Sequence, residues 1–158
     1  MSNFKFFKEI KIGGLDKERL LQKLDEANIL FNDYAKILIE HEKFLPSKDV
    51  QKVNLVKVRL SDIDLNENCT FASFREAAQK HGLEFCPLYL AAFLRLEYLD
   101  QNEGPYLTIA SERPETKEDF PNGFYLRNVD GGLWLRGYKA DGFDNWPAEN
   151  EFIFIGKN

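Results

Sequence analysis

The stretch Phe124-Tyr-Leu-Arg-Asn-Val-Asp-Gly-Gly-Leu-Trp-Leu-Arg-Gly-Tyr138 decides how the second half of this chain folds. Asp130-Gly131 is the residue pair that a two-residue type I′ hairpin turn favours, because both central positions need positive φ. That turn pairs Val129 with Gly132, Arg127 with Trp134, and Tyr125 with Arg136. Phe124, Leu126, Leu133 and Leu135 then share the other face, which reads as a core face. A three-residue loop would set Leu126 opposite Arg136 and mix core with solvent, so register disfavours it. The outer face becomes a lattice of Tyr125, Arg127, Trp134, Arg136 and Tyr138. Two readings fit it. Cross-strand cation–π pairs stabilise a sheet, and the same residues also suit a ligand-binding face.

Working outward, Tyr106–Ser111 and Phe152–Ile155 are short aromatic or β-branched runs between turn residues, and read as further strands. Phe4–Ile12 and Val53–Leu60 read as earlier strands. Between them Asp16 caps a helix carrying Leu20, Leu21, Leu24 and Ala27 at helical spacing. Asn32 caps a second, with Tyr34, Ile37, Leu38 and His41 on one face, and the short link between the two suggests a helical hairpin. Thr70 caps a third, with Phe71, Phe74, Ala78 and His81, closed by Gly82. Helices early and antiparallel strands late predict one α+β domain over residues 1–158, with three or four helices on a mainly antiparallel sheet.

The segment Glu84-Phe-Cys-Pro-Leu-Tyr-Leu-Ala-Ala-Phe-Leu-Arg-Leu-Glu-Tyr-Leu-Asp100 is the most apolar of the chain, yet holds Arg95 and Glu97. As one helix it is greasy nearly all round, with those charges about 160° apart at ~100° per residue. Burying both on opposite sides would be expensive. A short helix over 87–92 followed by a strand over 93–99 gives alternation instead. Leu94-Arg95 then parallels Leu126-Arg127 and Leu135-Arg136, each a core leucine beside an outward arginine. On that reading Arg95 joins Arg127, Trp134, Arg136 and Tyr138 as a residue of the binding face.

The 158 residues include 21 basic and 26 acidic side chains, a net charge of −5. The acidic balance argues against direct nucleic-acid binding. No apolar run approaches the ~20 residues of a membrane span, and the first residues show no secretory pattern. Two cysteines make no disulfide framework, so a cytoplasmic protein with free thiols is expected.

Few residues suggest catalysis. Cys86 precedes Pro87, a first-turn helix residue type, and a thiol at a helix N-terminus can become nucleophilic. His81 is the nearest base for it. The competing reading is a buried cysteine between Phe85 and Leu88. His41, Cys69, His81 and Cys86 lack the close ligand pairs of a zinc site, so no metal is expected. Asp62, Asp64 and Asn66 start like a calcium loop, but Glu67 and Ser73 stand where Gly and Glu are needed. Asp141 and Asp144 flank a turn-forming stretch that could bound a polar pocket. The phosphate-loop, dinucleotide, Gly-x-Ser-x-Gly and His-Glu-x2-His motifs are all missing, and no cofactor is expected.

The segments "FKFFKEIKIGGL", "CPLYLAAFLRLEYLDQ" and "DFPNGFYLRNVDGGLWLRGY", with "FIFI" near the end, resemble a family of small uncharacterised bacterial proteins. Its core resembles Cys-Pro-x-Glu-x-Gly-Pro-x-Leu-Arg-Leu-Gln-Tyr-x-Asp-Gln. Cys86, Pro87, Leu94, Arg95, Leu96, Tyr98, Asp100 and Gln101 match it, while Tyr89, Ala91-Ala92 and Glu97 depart from it. Some members are labelled "helicase", which neither the motifs nor the acidic charge support here. The resemblance implies fold and bacterial origin. The function expected is a non-enzymatic binding or accessory protein for a protein partner or small ligand. The alternatives are a Cys86-centred enzyme and a mobile-element or phage inhibitor that works through its acidic surface.

Overall fold

Three side-chain caps set the helical boundaries. In the computed structural model, which describes residues 4–66, 68–117, 119–139 and 150–156, Asp16 accepts from the Arg19 amide at 2.8 Å and opens α1 (Lys17–Glu26). Asn32 opens α2 (Asp33–Glu40), and Thr70 opens α3 (Phe71–Lys80). Each oxygen satisfies an amide that the first helical turn leaves without a partner. At the other end α3 closes on Gly82, at φ 74°, with Leu83 N donating to Ala78 O at 2.9 Å. The fourth helix, α4 (Leu90–Glu97), lies after the Pro87 turn.

The strands are β1 (Lys5–Ile12), β2 (Leu30–Phe31), β3 (Gln51–Val58), β4 (Leu107–Ile109), β5 (Gly123–Val129), β6 (Gly132–Tyr138) and β7 (Glu151–Ile155). They form one seven-stranded sheet in the order β1-β3-β7-β4-β5-β6-β2. The expected α+β class holds, and the sheet is mostly antiparallel. Two pairings are parallel, β4 with β7 and β2 with β6. No helix among the described residues is long and apolar enough to cross a membrane.

One face of the sheet is largely buried. Ile10, Ile12, Val53, Leu55, Leu107, Ile109, Phe124, Leu126, Leu135 and Ile153 meet α1, α2 and α4 there. The opposite face is covered over β3 and β7, where Phe74 of α3 sits 4.9 Å from Phe152 and 5.5 Å from Phe154 between ring centroids. Strands apolar on both sides, such as Val53–Val58, are what a sheet between two layers requires.

Two expectations are corrected. The helical hairpin does not form: α1 packs on α4, whereas α2 packs on β6, and β2 separates them. Asn32 explains the divergence. It caps Ala35 N at 2.9 Å, and also exchanges two bonds with Gly137 of β6, at 2.9 and 2.8 Å. The buried face of α2 is consequently Ala35, Leu38 and Ile39, leaving Tyr34 and Ile37 exposed. The second correction concerns residues 93–99, which form no strand. They belong largely to α4, a helix buried on most sides.

Candidate ligand-binding face

The β5–β6 hairpin adopts the expected register, with Val129 opposite Gly132, Arg127 opposite Trp134 and Tyr125 opposite Arg136. Asp130 and Gly131 take φ values of 53° and 76°, as a type I′ turn demands. Because side chains alternate along a strand, Phe124, Leu126 and Leu135 face the core. Tyr125, Arg127, Trp134, Arg136 and Tyr138 share the other side. On that side the β5 and β6 residues are half-buried, and Thr108 of β4, which pairs with Tyr125, is buried at 1% exposure.

The lattice is built from stacked cations and rings. The Arg136 guanidinium lies 4.8 Å from the Trp134 ring and 5.9 Å from that of Tyr125. Its Nε donates to Tyr125 Oη at 2.7 Å. Arg127 lies 5.9 Å from the Tyr106 ring, which is 5.1 Å from that of Tyr125. Tyr106 therefore extends the lattice to the edge of β4, and its even spacing from Thr108 is the sequence signal that points to it. Among the described residues neither Arg127 nor Arg136 makes an ion pair, and Arg127 Nε has no acceptor. Tyr138 closes the row beside Gly123, and burial pushes its phenol well above the usual range.

Arg95 does not belong to this face. It sits in α4, fully buried at 0% exposure, while Glu97 two residues on is exposed. Separation by most of half a turn puts one charge inside and the other out, so the helix never buries both. Arg95 Nη1 donates to Gln101 Oε1 at 2.8 Å and to Trp134 O at 3.1 Å, and Nη2 donates to Tyr98 O. Gln101 in turn donates to Leu126 O at 3.1 Å. Burial pushes the guanidinium down to about 10, which leaves it cationic at neutral pH. Neutral carbonyls thus hold this charge, and among the described residues no carboxylate pairs with it. Its place is beneath the Arg and aromatic lattice, where it bonds the backbone carbonyl of Trp134.

The cysteine site fails on geometry. Helix α4 starts at Leu90 after Tyr89, so Cys86 caps nothing. Its thiol is buried and hydrogen-bonds Ile153 O at 3.6 Å; burial, and secondly the charge of Glu84, push its pKa far above the ordinary thiol value. A thiol held protonated is a poor nucleophile. His81 Nδ1 donates to Ala77 O at 2.9 Å, and Nε2 lies 3.7 Å from Asp64. It lines a different cavity from Cys86. Residues 60–63 form a 3-10 turn in which Asp62 accepts from Arg59 N, which uses the carboxylate for chain geometry. Among the described residues no three His, Cys, Asp or Glu side chains gather as a metal site. Asp141 and Asp144 lie outside the described residues.

No family model, curated protein or solved structure matches this chain.

Proposed function

We propose that this chain is a non-enzymatic binding protein that uses the outer face of the β5–β6 hairpin to dock a carboxylate-bearing segment of a protein partner. The supporting observation is the pair Arg127 and Arg136. Both are stacked on aromatic rings and neither has a carboxylate partner among the described residues. Rings hold the guanidinium planes rigid, so less freedom is lost when a carboxylate binds in fork geometry. Trp, Tyr and Arg are also the residue types in which interface energy concentrates. The local cationic face contrasts with the overall charge of −5, so it favours acidic partners while the rest of the surface repels them. A cytoplasmic setting fits this reading, with Cys86 kept as a buried thiol.

Random-sequence peptide display tests it without assuming a partner. Peptides selected on the native chain are expected to carry Asp or Glu beside an apolar residue. They should lose most of their binding to an Arg127→Ala/Arg136→Ala variant that keeps its fold. Selection of peptides that ignore both substitutions would overturn the proposal.

A further inference from the structure

One end of the sheet, where β4 and β7 finish and β3 starts, carries a second site with different chemistry. A cavity of about 490 Å³ opens there, inside the range of roughly 300–1,000 Å³ typical of small-molecule sites. Its floor is apolar and already formed: Cys86, Leu88 and Tyr89 are 3%, 7% and 8% exposed. Two cations, Lys43 and Arg113, stand on its walls.

The two acidic side chains of the lining do not cancel them. Glu112 is engaged by Arg75, through bonds of 3.0 and 2.5 Å. With Glu112 neutralised, Glu84 offsets one of the two cations and the lining keeps one net positive charge; Glu115, outside the lining, is bonded to His41 and lies within electrostatic reach of Lys43. Arg113 is under-used. Nη2 donates to Lys117 O at 3.2 Å, whereas Nε is buried with no acceptor among the described residues. A buried cationic donor without an acceptor is costly to maintain and gains from a ligand that spreads negative charge over its neighbouring nitrogens.

The walls are also held in place. His41 Nε2 bonds Glu115 at 2.5 Å, two residues beyond Arg113. The amide of Lys43 donates to His41 Nδ1 at 3.0 Å. One imidazole therefore joins the backbone bearing Lys43 to the segment bearing Arg113, while the Lys43 side chain itself is exposed.

We propose that this cavity binds a small organic monoanion, a carboxylate on an acyl or aryl body, with Arg113 and Lys43 on the carboxylate and the body over Cys86, Leu88 and Tyr89. Arg113 also lies within electrostatic reach of Tyr138 at the end of the β5–β6 face, so the ligand comparison on the native chain, and not the Arg113 variant alone, separates this cavity from that face.

Isotope-labelled full-length protein can be titrated by NMR with octanoate, 1-octanol, octylammonium and inorganic phosphate. Octanoate is expected to shift the amides of Cys86, Leu88 and Ile155 and to bind about tenfold tighter than octanol, as a charge-assisted bond implies. Octylammonium should bind no better than octanol, and phosphate should leave these amides unmoved. Arg113→Ala should abolish the preference for octanoate over octanol, and Lys43→Ala should reduce it. Equal binding of octanoate and octanol by the native chain, binding of phosphate as tight as that of octanoate, or octanoate shifts confined to another surface would each overturn it.

Discussion

Leu94-Arg95 in α4 and Leu135-Arg136 in β6 are the same dipeptide, each preceded by an aromatic residue, and the fold uses them in opposite ways. In β6 the period of two sends Leu135 inward and Arg136 outward onto Trp134. In α4 both residues are completely buried, because the helix is enclosed by β1, β5, β6 and α1. The outward arginine keeps its charge available to a partner. The inward one spends its Nη donors on carbonyl oxygens, with Nε buried and without an acceptor among the described residues, and acts as an internal tie. A charged residue's role is thus set by what surrounds the element, and the dipeptide itself carries no such information.

The sharpest way to break that contrast is to truncate both arginines. Arg95→Ala strips the donor from Gln101 Oε1, Trp134 O and Tyr98 O inside the protein. An expected loss of about 4 kcal/mol follows from abandoning several charge-assisted bonds in a dry site. Arg136→Ala loses a stacked, half-exposed side chain, for about 1 kcal/mol or less. Urea midpoints of the two variants measure the difference directly. Equal midpoints would mean that the Arg95 tie contributes nothing beyond a surface contact.

A second substitution tests whether the hairpin is anchored from its core side. A methyl group at Gly137 would lie 2.7 Å from both Ala35 N and Tyr34 C, backbone atoms at the start of α2. Gly137→Ala must therefore push α2 off β6 and disturb the two bonds to Asn32. The expected cost is about 2–3 kcal/mol, as for other overpacked sites. Gly131→Ala at the turn meets no atom within 4 Å and suffers only from its positive φ, so it should cost about 1 kcal/mol. Thermal unfolding of both variants should rank them in that order.

This ranking shows which parts of the molecule could be read without coordinates. Asp130-Gly131, the three helix caps and the Gly82 stop are local signals, because a turn or cap is decided by its own few residues. The Arg and aromatic lattice followed from the same alternation, down to which residue opposes which. Arg95 was not legible in this way. Charge in an apolar run has two remedies, an outward face or an internal partner. Its partners, Gln101 and the Trp134 carbonyl, are fixed only when α4 is laid under β6. Gly137 and Asn32 share this property at a separation of 105 residues. The parallel pairings are a further case, since β2 is two residues long and exists only because β6 is already there.

Within the lattice, the smaller question is whether stacking or exposure matters more. A double-mutant cycle on Trp134→Ala and Arg136→Ala isolates their contact at 4.8 Å. The coupling expected is about 0.5–1 kcal/mol. A coupling near zero would make the two residues independent on the surface. It would remove the rigid positioning on which carboxylate docking rests.

The smallest effect extends the contrast to a third residue. Helical periodicity puts His41 on an apolar face with Tyr34 and Ile37, yet the imidazole lies at the end of α2 and reaches Glu115. Its Nδ1 accepts from Lys43 N, so the proton on Nε2 points at the carboxylate. That bond holds the Glu115 carboxyl below its ordinary value of 4.5. A depressed carboxylate adds stability that is fully present above its unfolded value and is lost as pH falls through its folded value. Glu115→Gln should therefore lower the urea midpoint slightly at pH 7. The gap from the native chain should narrow below about pH 4.5 and close at lower pH. A gap of constant size from pH 7 to pH 3 would show that the latch acts by shape alone, as Arg95 does, and not by charge.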